Sequence, residues 1–176
     1  GKSIAVTGAT GAMGRALIDR LAAEGARPIA LTTQTGNAAD LGFPESIAVI
    51  TWQPGQEADL KDQLQGVDIL VINHGANEPQ ARHPEAIAAA IETNTLSAFR
   101  LLEVFLSTVN RSEHRAIKEV WVNTSEAEVN PAFSPLYELS KRAIGDILTL
   151  RRLDAPCTIR KPVSYTHLRA HETVLD

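Results

Sequence analysis

A short apolar run, Ser3 to Thr7 (SIAVT), passes without a linker into a glycine-rich turn, TGATGAMG, and from Met13 into a helical pattern. Few folds accommodate that succession. Ala16, Leu17, Leu21 and Ala22 recur at helix spacing, and Glu24-Gly25 closes the stretch. Gly8, Gly11 and Gly14 sit between strand and helix. There, glycine permits a tight turn and lets backbone N–H groups approach a pyrophosphate, whose charge the helix N-terminus favours. Thr7, Gly8, Thr10, Gly11, Met13 and Gly14 are therefore candidate dinucleotide contacts. A glycine triplet alone is a weak signal; its placement gives it weight.

The rest of the chain repeats the alternation. Pro28 to Leu31 and Ile47 to Trp52 read as strands, followed by a short helix carrying Leu60 and Leu64. Val67 to Ile72 (VDILVI) is apolar almost throughout, as a parallel strand covered on both faces should be. Ile87 to Val109, with Pro84 near its start, reads as one long helix. Glu119 to Asn123 is a fifth strand, Tyr137 to Leu153 a further helix, and Cys157 to Arg160 a sixth strand. Strands alternating with helices predict an α/β fold: a doubly wound parallel sheet of the Rossmann type, in order 3-2-1-4-5-6.

Composition narrows the class. The chain has 176 residues, 44% apolar and 22% charged, enough for one domain with a sizeable core. Its net charge of −4 argues against nucleic acid as a partner, because phosphate binding wants a basic surface. The local basic stretch of Arg151, Arg152, Arg160 and Lys161 reads as a solvated helix end and strand edge. Cys157 is the single cysteine, so no intrachain disulfide forms; it reads as a core residue, and a reducing, cytoplasmic setting is expected. No apolar run approaches the roughly 20 residues that span a bilayer.

Two further signals concern chemistry. After the second strand, Thr32 and Thr33 stand where a carboxylate would accept from the adenosine ribose and repel a 2′-phosphate. With no carboxylate there, the expected cofactor is NADP in preference to NAD. Downstream, Tyr137 and Lys141 lie four apart on one helix face. A nearby ammonium lowers a phenol's pKa, so Tyr137 can exchange a proton with a carbonyl or alcohol near neutral pH.

With these motifs the chain resembles the short-chain dehydrogenase/reductase superfamily from Lys2 to Lys161. The resemblance rests on Thr7-Gly8 with Gly11 and Gly14, Asn73-His74-Gly75-Ala76 after the fourth strand, Asn94, and Tyr137 with Lys141. Its glycine spacing is TGxxGxxG, as in extended and atypical members, where the usual form is TGxxxGxG. The resemblance implies an oxidoreductase moving a hydride between nicotinamide and a carbonyl/alcohol pair. In that reading Tyr137 is the acid/base, Lys141 binds the nicotinamide ribose and tunes Tyr137, Asn94 supports a proton-relay water, and Asn73, His74 and Gly75 line the cofactor. A catalytic hydroxyl is expected at Ser125, with Thr124 and Ser134 as alternatives, although strand alignment puts Glu126 at that position. That ambiguity keeps open a non-catalytic NAD(P)-binding sensor or interaction module. A homodimer through the helices carrying Asn94 and Tyr137 is a further expectation.

The segments VDILVINHGAN, EVWVNTSEAEVNPAFSPLYELSKRA and TLRRLDAPCTIRK also resemble the dehydrogenase portion of bifunctional sterol desaturase/short-chain dehydrogenase proteins. That implies a lipid-like substrate, fusion to an upstream membrane domain, and a place on the cytosolic face of a membrane. The opening Gly-Lys-Ser, without methionine, fits such a fusion. The other end reads differently. Val163 to Thr173 (VSYTHLRAHET) resembles a translated transposon-end sequencing adapter. We therefore expect residues 1–162 to form one NAD(P)-binding domain, cut short after its sixth strand and inactive as it stands. Residues 163–176 are then a non-native tail making few contacts. His167, His171 and Glu172 fall in that tail, so no metal site is expected there.

Overall fold

Strand β1 (Ser3–Thr7) is buried at every position, and so is β4 (Ile69–Ile72). The two pair in parallel, Val6 opposite Val71, as central strands covered on both faces should. Strand β2 (Arg27–Thr32) flanks β1 on the other side, with Val6 opposite Ala30. With β3 (Ala48–Thr51), β5 (Glu119–Val122) and β7 (Thr158–Arg160) they form a six-stranded, all-parallel sheet, order β3-β2-β1-β4-β5-β7. This is the doubly wound Rossmann order read from the sequence, the sixth strand being β7. The computed structural model from which it is taken describes residues 1–79, 81–125 and 134–164.

Two cores form because side chains alternate across the strands. On one face α1 (Ala12–Ala23) brings Ile18, joined by Leu41 and Phe43, against Ile4, Val6, Ile69 and Val71. On the other lie α2 (Lys61–Gln65), entered through a 3-10 turn at Glu57–Leu60, with α3 (Pro84–Ile91), α4 (Ala98–Leu106) and α6 (Pro135–Arg151). Leu64, Leu102, Phe105, Ile144 and Leu148 from these helices cover Ala5, Leu70, Ile72 and Val122. Each such side chain contributes about 1.5–3 kcal/mol when fully buried.

Three features depart from the periodic pattern. The expected single helix over Ile87 to Val109 is divided: six residues, Glu92–Ser97, wind as a π-helix between α3 and α4. Its wider turn takes in an extra residue and buries Asn94, Thr95 and Ser97. Next, α5 (Ser112–Ile117) precedes a buried lysine. Lys118 Nζ donates to the carbonyls of Leu64 (3.2 Å), Gln65 (2.8 Å) and Val67 (2.8 Å) and to Thr108 Oγ1 (3.2 Å), fastening the end of α2. Finally, β6 (Thr124–Ser125) pairs in parallel with β8 (Val163–Ser164), and the Thr124 amide donates to Pro162 O at 3.0 Å. The expected tail thus makes regular contact at its first two residues, because backbone groups at 124–125 find partners there. Its remainder, residues 165–176, lies outside the described residues.

Two arginines of the basic stretch are paired, Arg151 with Glu103 (2.6 Å) and Arg160 with Glu119 (2.7 Å). Burial pushes the Cys157 thiol up to about 11, which suits a packing residue. No helix among the described residues is long and apolar enough to cross a membrane.

Candidate active site

A cleft of about 550 Å³ opens at the carboxyl ends of the strands, where the sheet order reverses between β1 and β4. Its first wall is the glycine turn. Gly8 has φ +62°, and its carbonyl accepts from the Gly11 amide at 3.1 Å. Gly11 is the N-cap of α1, and no side chain caps that end. The first-turn amides of a twelve-residue helix are thus left to an anion. A methyl group at Gly14 would stand 2.1 Å from Gly8 O, and one at Gly8 would stand 3.0 Å from His74 Cα. Turn, helix and β4 loop are therefore packed backbone to backbone.

Thr7 joins that turn to the β4 loop. Its hydroxyl accepts from the amides of Asn73 (2.8 Å) and His74 (3.2 Å) and meets His74 Nδ1 at 2.8 Å. The His74 ring packs edge-on against Trp52, centroids 5.2 Å apart. Burial and then the charge of Lys141 push His74 down to about 4, so the imidazole is neutral at physiological pH. Toward β2, Thr10 and Thr32 share a hydroxyl–hydroxyl contact of 3.2 Å, and Thr32 Oγ1 accepts from the Gln34 amide at 3.1 Å. Thr33 lines the cleft beside them, and no Asp or Glu does so among the described residues.

Tyr137 and Lys141 occupy the opposite end of the cleft. Lys141 is 6% exposed, its Nζ lies 5.6 Å from the centre of the Tyr137 ring, and burial pushes its ammonium down to about 8. Gly75 makes room for this arrangement: a methyl there would stand 3.0 Å from Asn94 Oδ1 and 3.4 Å from Lys141 Nζ. Asn94 lies behind the wall. Its Nδ2 donates to Ala76 O (2.8 Å) and Ser140 Oγ (2.9 Å), and its Oδ1 accepts from the Ala76 amide at 2.7 Å. The side chain is fully engaged in tying the β4 loop to α6, one turn from Tyr137.

The candidate hydroxyls separate. Thr124 lines the cleft, and its Oγ1 donates to Pro162 O at 3.2 Å. Ser125 is buried on β6 and is not among the cleft-lining residues. Ser134 is also buried, donating to Asn77 Oδ1 at 2.6 Å, and Glu126 lies outside the described residues. Sequence reasoning passed over Trp52 and Asn123. Asn123 Nδ2 donates to Asn73 Oδ1 at 2.7 Å, and its place one residue past β5 mirrors that of Asn73 past β4. No group of three or more potential metal ligands occurs among the described residues.

The open helix amides, the glycines pressed against neighbouring backbone and the tyrosine–lysine pair together fit a nicotinamide dinucleotide. Comparison with known proteins agrees. A family model described as NAD(P)H-binding matches residues 8–154. Monoglucosyldiacylglycerol epimerase of Synechocystis sp. is 57% identical over 163 residues, covering 92% of this chain. The chain spans 40% of that relative's length. Among solved structures, a short-chain dehydrogenase/reductase of Burkholderia thailandensis superposes with TM-score 0.78 at 21% identity, over 93% of this chain and 69% of that one. An alcohol dehydrogenase of Thermococcus sibiricus, complexed with 5-hydroxy-NADP, gives 0.75 at 18% identity, over 93% and 76% respectively. At these identities the likeness is one of fold.

Proposed function

The chain belongs to the NAD(P)H-binding family, and from that premise we propose that it carries the redox half of an epimerase. Its substrate would be a glycolipid, with one sugar hydroxyl inverted through a transient ketone. The observation that carries the reading is the placement of Tyr137 and buried Lys141 in one cleft with the uncapped glycine turn. The substrate class rests on the epimerase relative, and it agrees with the lipid-like substrate expected from the sequence.

When bound, the nicotinamide ring supplies the acceptor, and then the donor, of the hydride at the carbinol carbon. The chain's own residues handle everything else. The amides after Gly11, with Gly8 and Gly14 giving backbone access, would hold the pyrophosphate. Tyr137 Oη takes the hydroxyl proton as the ketone forms and returns it once the opposite face has been reduced. Lys141, with Nζ 5.6 Å from the centre of the Tyr137 ring, would hold the nicotinamide ribose and bring a positive charge to that end of the cleft. Thr124 also lines the cleft, but its hydroxyl donates to Pro162 O and would have to turn from that carbonyl to serve the reacting oxygen. Asn94 positions Tyr137 through Ser140, whose hydroxyl donates to Tyr137 O at 3.0 Å. Thr32 and Thr33 leave either dinucleotide acceptable, and the absence of a carboxylate favours NADP.

The test uses the full-length protein with a glucosylated diacylglycerol deuterated at the carbon to be inverted. We expect inversion with the label retained and no net build-up of reduced cofactor. Tyr137→Phe should lower the rate at least about 100-fold while leaving cofactor affinity within a factor of about two. Full activity in that variant would overturn the assignment of Tyr137. Steady accumulation of reduced cofactor would instead make the protein a simple dehydrogenase.

A further inference from the structure

Ser134 stands at the N-cap of α6, yet its side chain makes no capping bond to the helix. A serine there ordinarily accepts from an amide of the first helical turn. Here the hydroxyl donates instead to Asn77 Oδ1 at 2.6 Å. That length is usual for O–H···O and short for N–H···O, which sets the carboxamide oxygen, not its nitrogen, toward Ser134. Ser134 is buried, whereas Asn77 is exposed and lines the cleft together with Tyr137. With its oxygen held, Asn77 turns Nδ2 away from the buried hydroxyl, two N–H groups with no acceptor among the described residues. About one helical turn separates Ser134 from Tyr137, so these donors sit at the Tyr137 end of the cleft. Neighbouring carboxamides are engaged otherwise: Asn94 is tied to Ala76 and Ser140, and Asn73 accepts from Asn123.

We propose that Asn77, oriented by Ser134, donates to a non-reacting hydroxyl of the substrate sugar and so helps to set which substrate the cleft accepts. A sugar surrounds its reacting carbon with hydroxyls, each able to accept, and an open donor beside Tyr137 suits one of them. A hydroxyl that does not react has the same chemistry in substrate, ketone and product. The contact therefore binds all three alike, and its loss raises KM while leaving kcat. Ser134 is a positioning residue: without its hydroxyl the carboxamide is free to rotate and its donors lose their aim. The inference rests on the glycolipid reading above and names a residue that holds the sugar.

The experiment follows turnover by the full-length protein of a glucosyl diacylglycerol and of its monodeoxy analogues, each lacking one non-reacting hydroxyl. Wild type, Asn77→Ala, Ser134→Ala and the double variant are compared. Asn77→Ala should raise KM for the parent glycolipid about 3- to 10-fold, with kcat within a factor of about two. One monodeoxy analogue should already carry that loss in wild type and show no further rise in Asn77→Ala. Ser134→Ala should raise KM by a smaller factor and add nothing to Asn77→Ala, because its hydroxyl acts through that carboxamide. Melting temperature and affinity for reduced cofactor should stay within error in Asn77→Ala, since the residue is exposed and lies at the far end of the cleft from the glycine turn. An unchanged KM overturns the proposal. So does a rise by the same factor for every analogue, which marks a structural role. If Asn77→Ala instead loosens the cofactor, Asn77 serves the dinucleotide and the sugar assignment fails, while the epimerase reading stands. If wild type inverts no glucosyl diacylglycerol, the glycolipid reading falls and takes this inference with it.

Discussion

Replacing Gly14 by alanine adds one methyl group at the most crowded point of the cofactor turn. That methyl would stand 2.1 Å from Gly8 O, 2.7 Å from Ala9 Cα and 2.8 Å from Gly8 C, all of them backbone. Ordinary contact is roughly 3.5 Å, so the turn or the first turn of α1 must move by on the order of 1 Å. Overpacking of this kind costs about 1–3 kcal/mol, and the better helix propensity of alanine offsets at most about 1 kcal/mol. For a chain of this length the melting temperature should fall by about 2–10 °C. The displaced amides should also lose their aim at the pyrophosphate, weakening cofactor binding by about 10- to 100-fold. Gly66→Ala is the control: Gly66 has φ −85° and no heavy atom within 4 Å of an added methyl. It should leave both quantities within error or stabilise slightly. The assay pairs thermal melts with titration of reduced cofactor fluorescence. If Gly14→Ala bound cofactor like wild type and melted within a degree of it, the tight strand–turn–helix packing argued above would be wrong.

Burial holds Lys141 near 8, against 10.5 for an ordinary lysine, and this separates activity from stability. Between those values the unfolded chain keeps a proton that the folded one has released, so this group's contribution to stability rises with pH. Turnover, which uses the ammonium, should fall above about pH 8; a rate flat to pH 10 would contradict that role. Lys118→Met leaves three carbonyls and the Thr108 hydroxyl without their donor. We expect a loss of about 2–4 kcal/mol in urea unfolding, and a loss below 0.5 kcal/mol would show those carbonyls to be otherwise satisfied.

The sheet was legible because its strands are apolar on both faces. SIAVT and ILVI admit little else between turn signals, and the strand order follows from right-handed crossovers. The Tyr137–Lys141 pair and the glycine turn were legible because spacing alone carries their geometry. Other features leave no periodic trace. Residues 92–97 are as polar as an exposed helical turn, so nothing announced a π-helix whose buried members hydrogen-bond across to α6. Lys118 reads as a surface residue, and only the convergence of three carbonyls from a distant helix end explains its burial. Trp52 reads as the end of a strand; its ring meets His74, which follows β4, although the sheet order sets β2 and β1 between those two strands. The two-residue strands β6 and β8 are too short to have a pattern.

The π-helix also divides the long helical rod into two lengths that are out of phase. One added residue per turn amounts to a rotation of about 100° in a 3.6-residue helix. Pro84–Ile91 and Ala98–Leu106 therefore present their inward faces in directions that an uninterrupted helix could not reconcile. Deleting a single residue between Glu92 and Ser97 would let the hydrogen bonds revert to regular spacing. It would also force a choice: keep Leu101, Leu102 and Phe105 in the core, or keep Asn94 on Ala76 and Ser140. The core would win on buried area, and the loop bearing Asn73, His74 and Gly75 would come loose from the helix bearing Tyr137. A shortened rod of this kind would fold well and still have no working cleft.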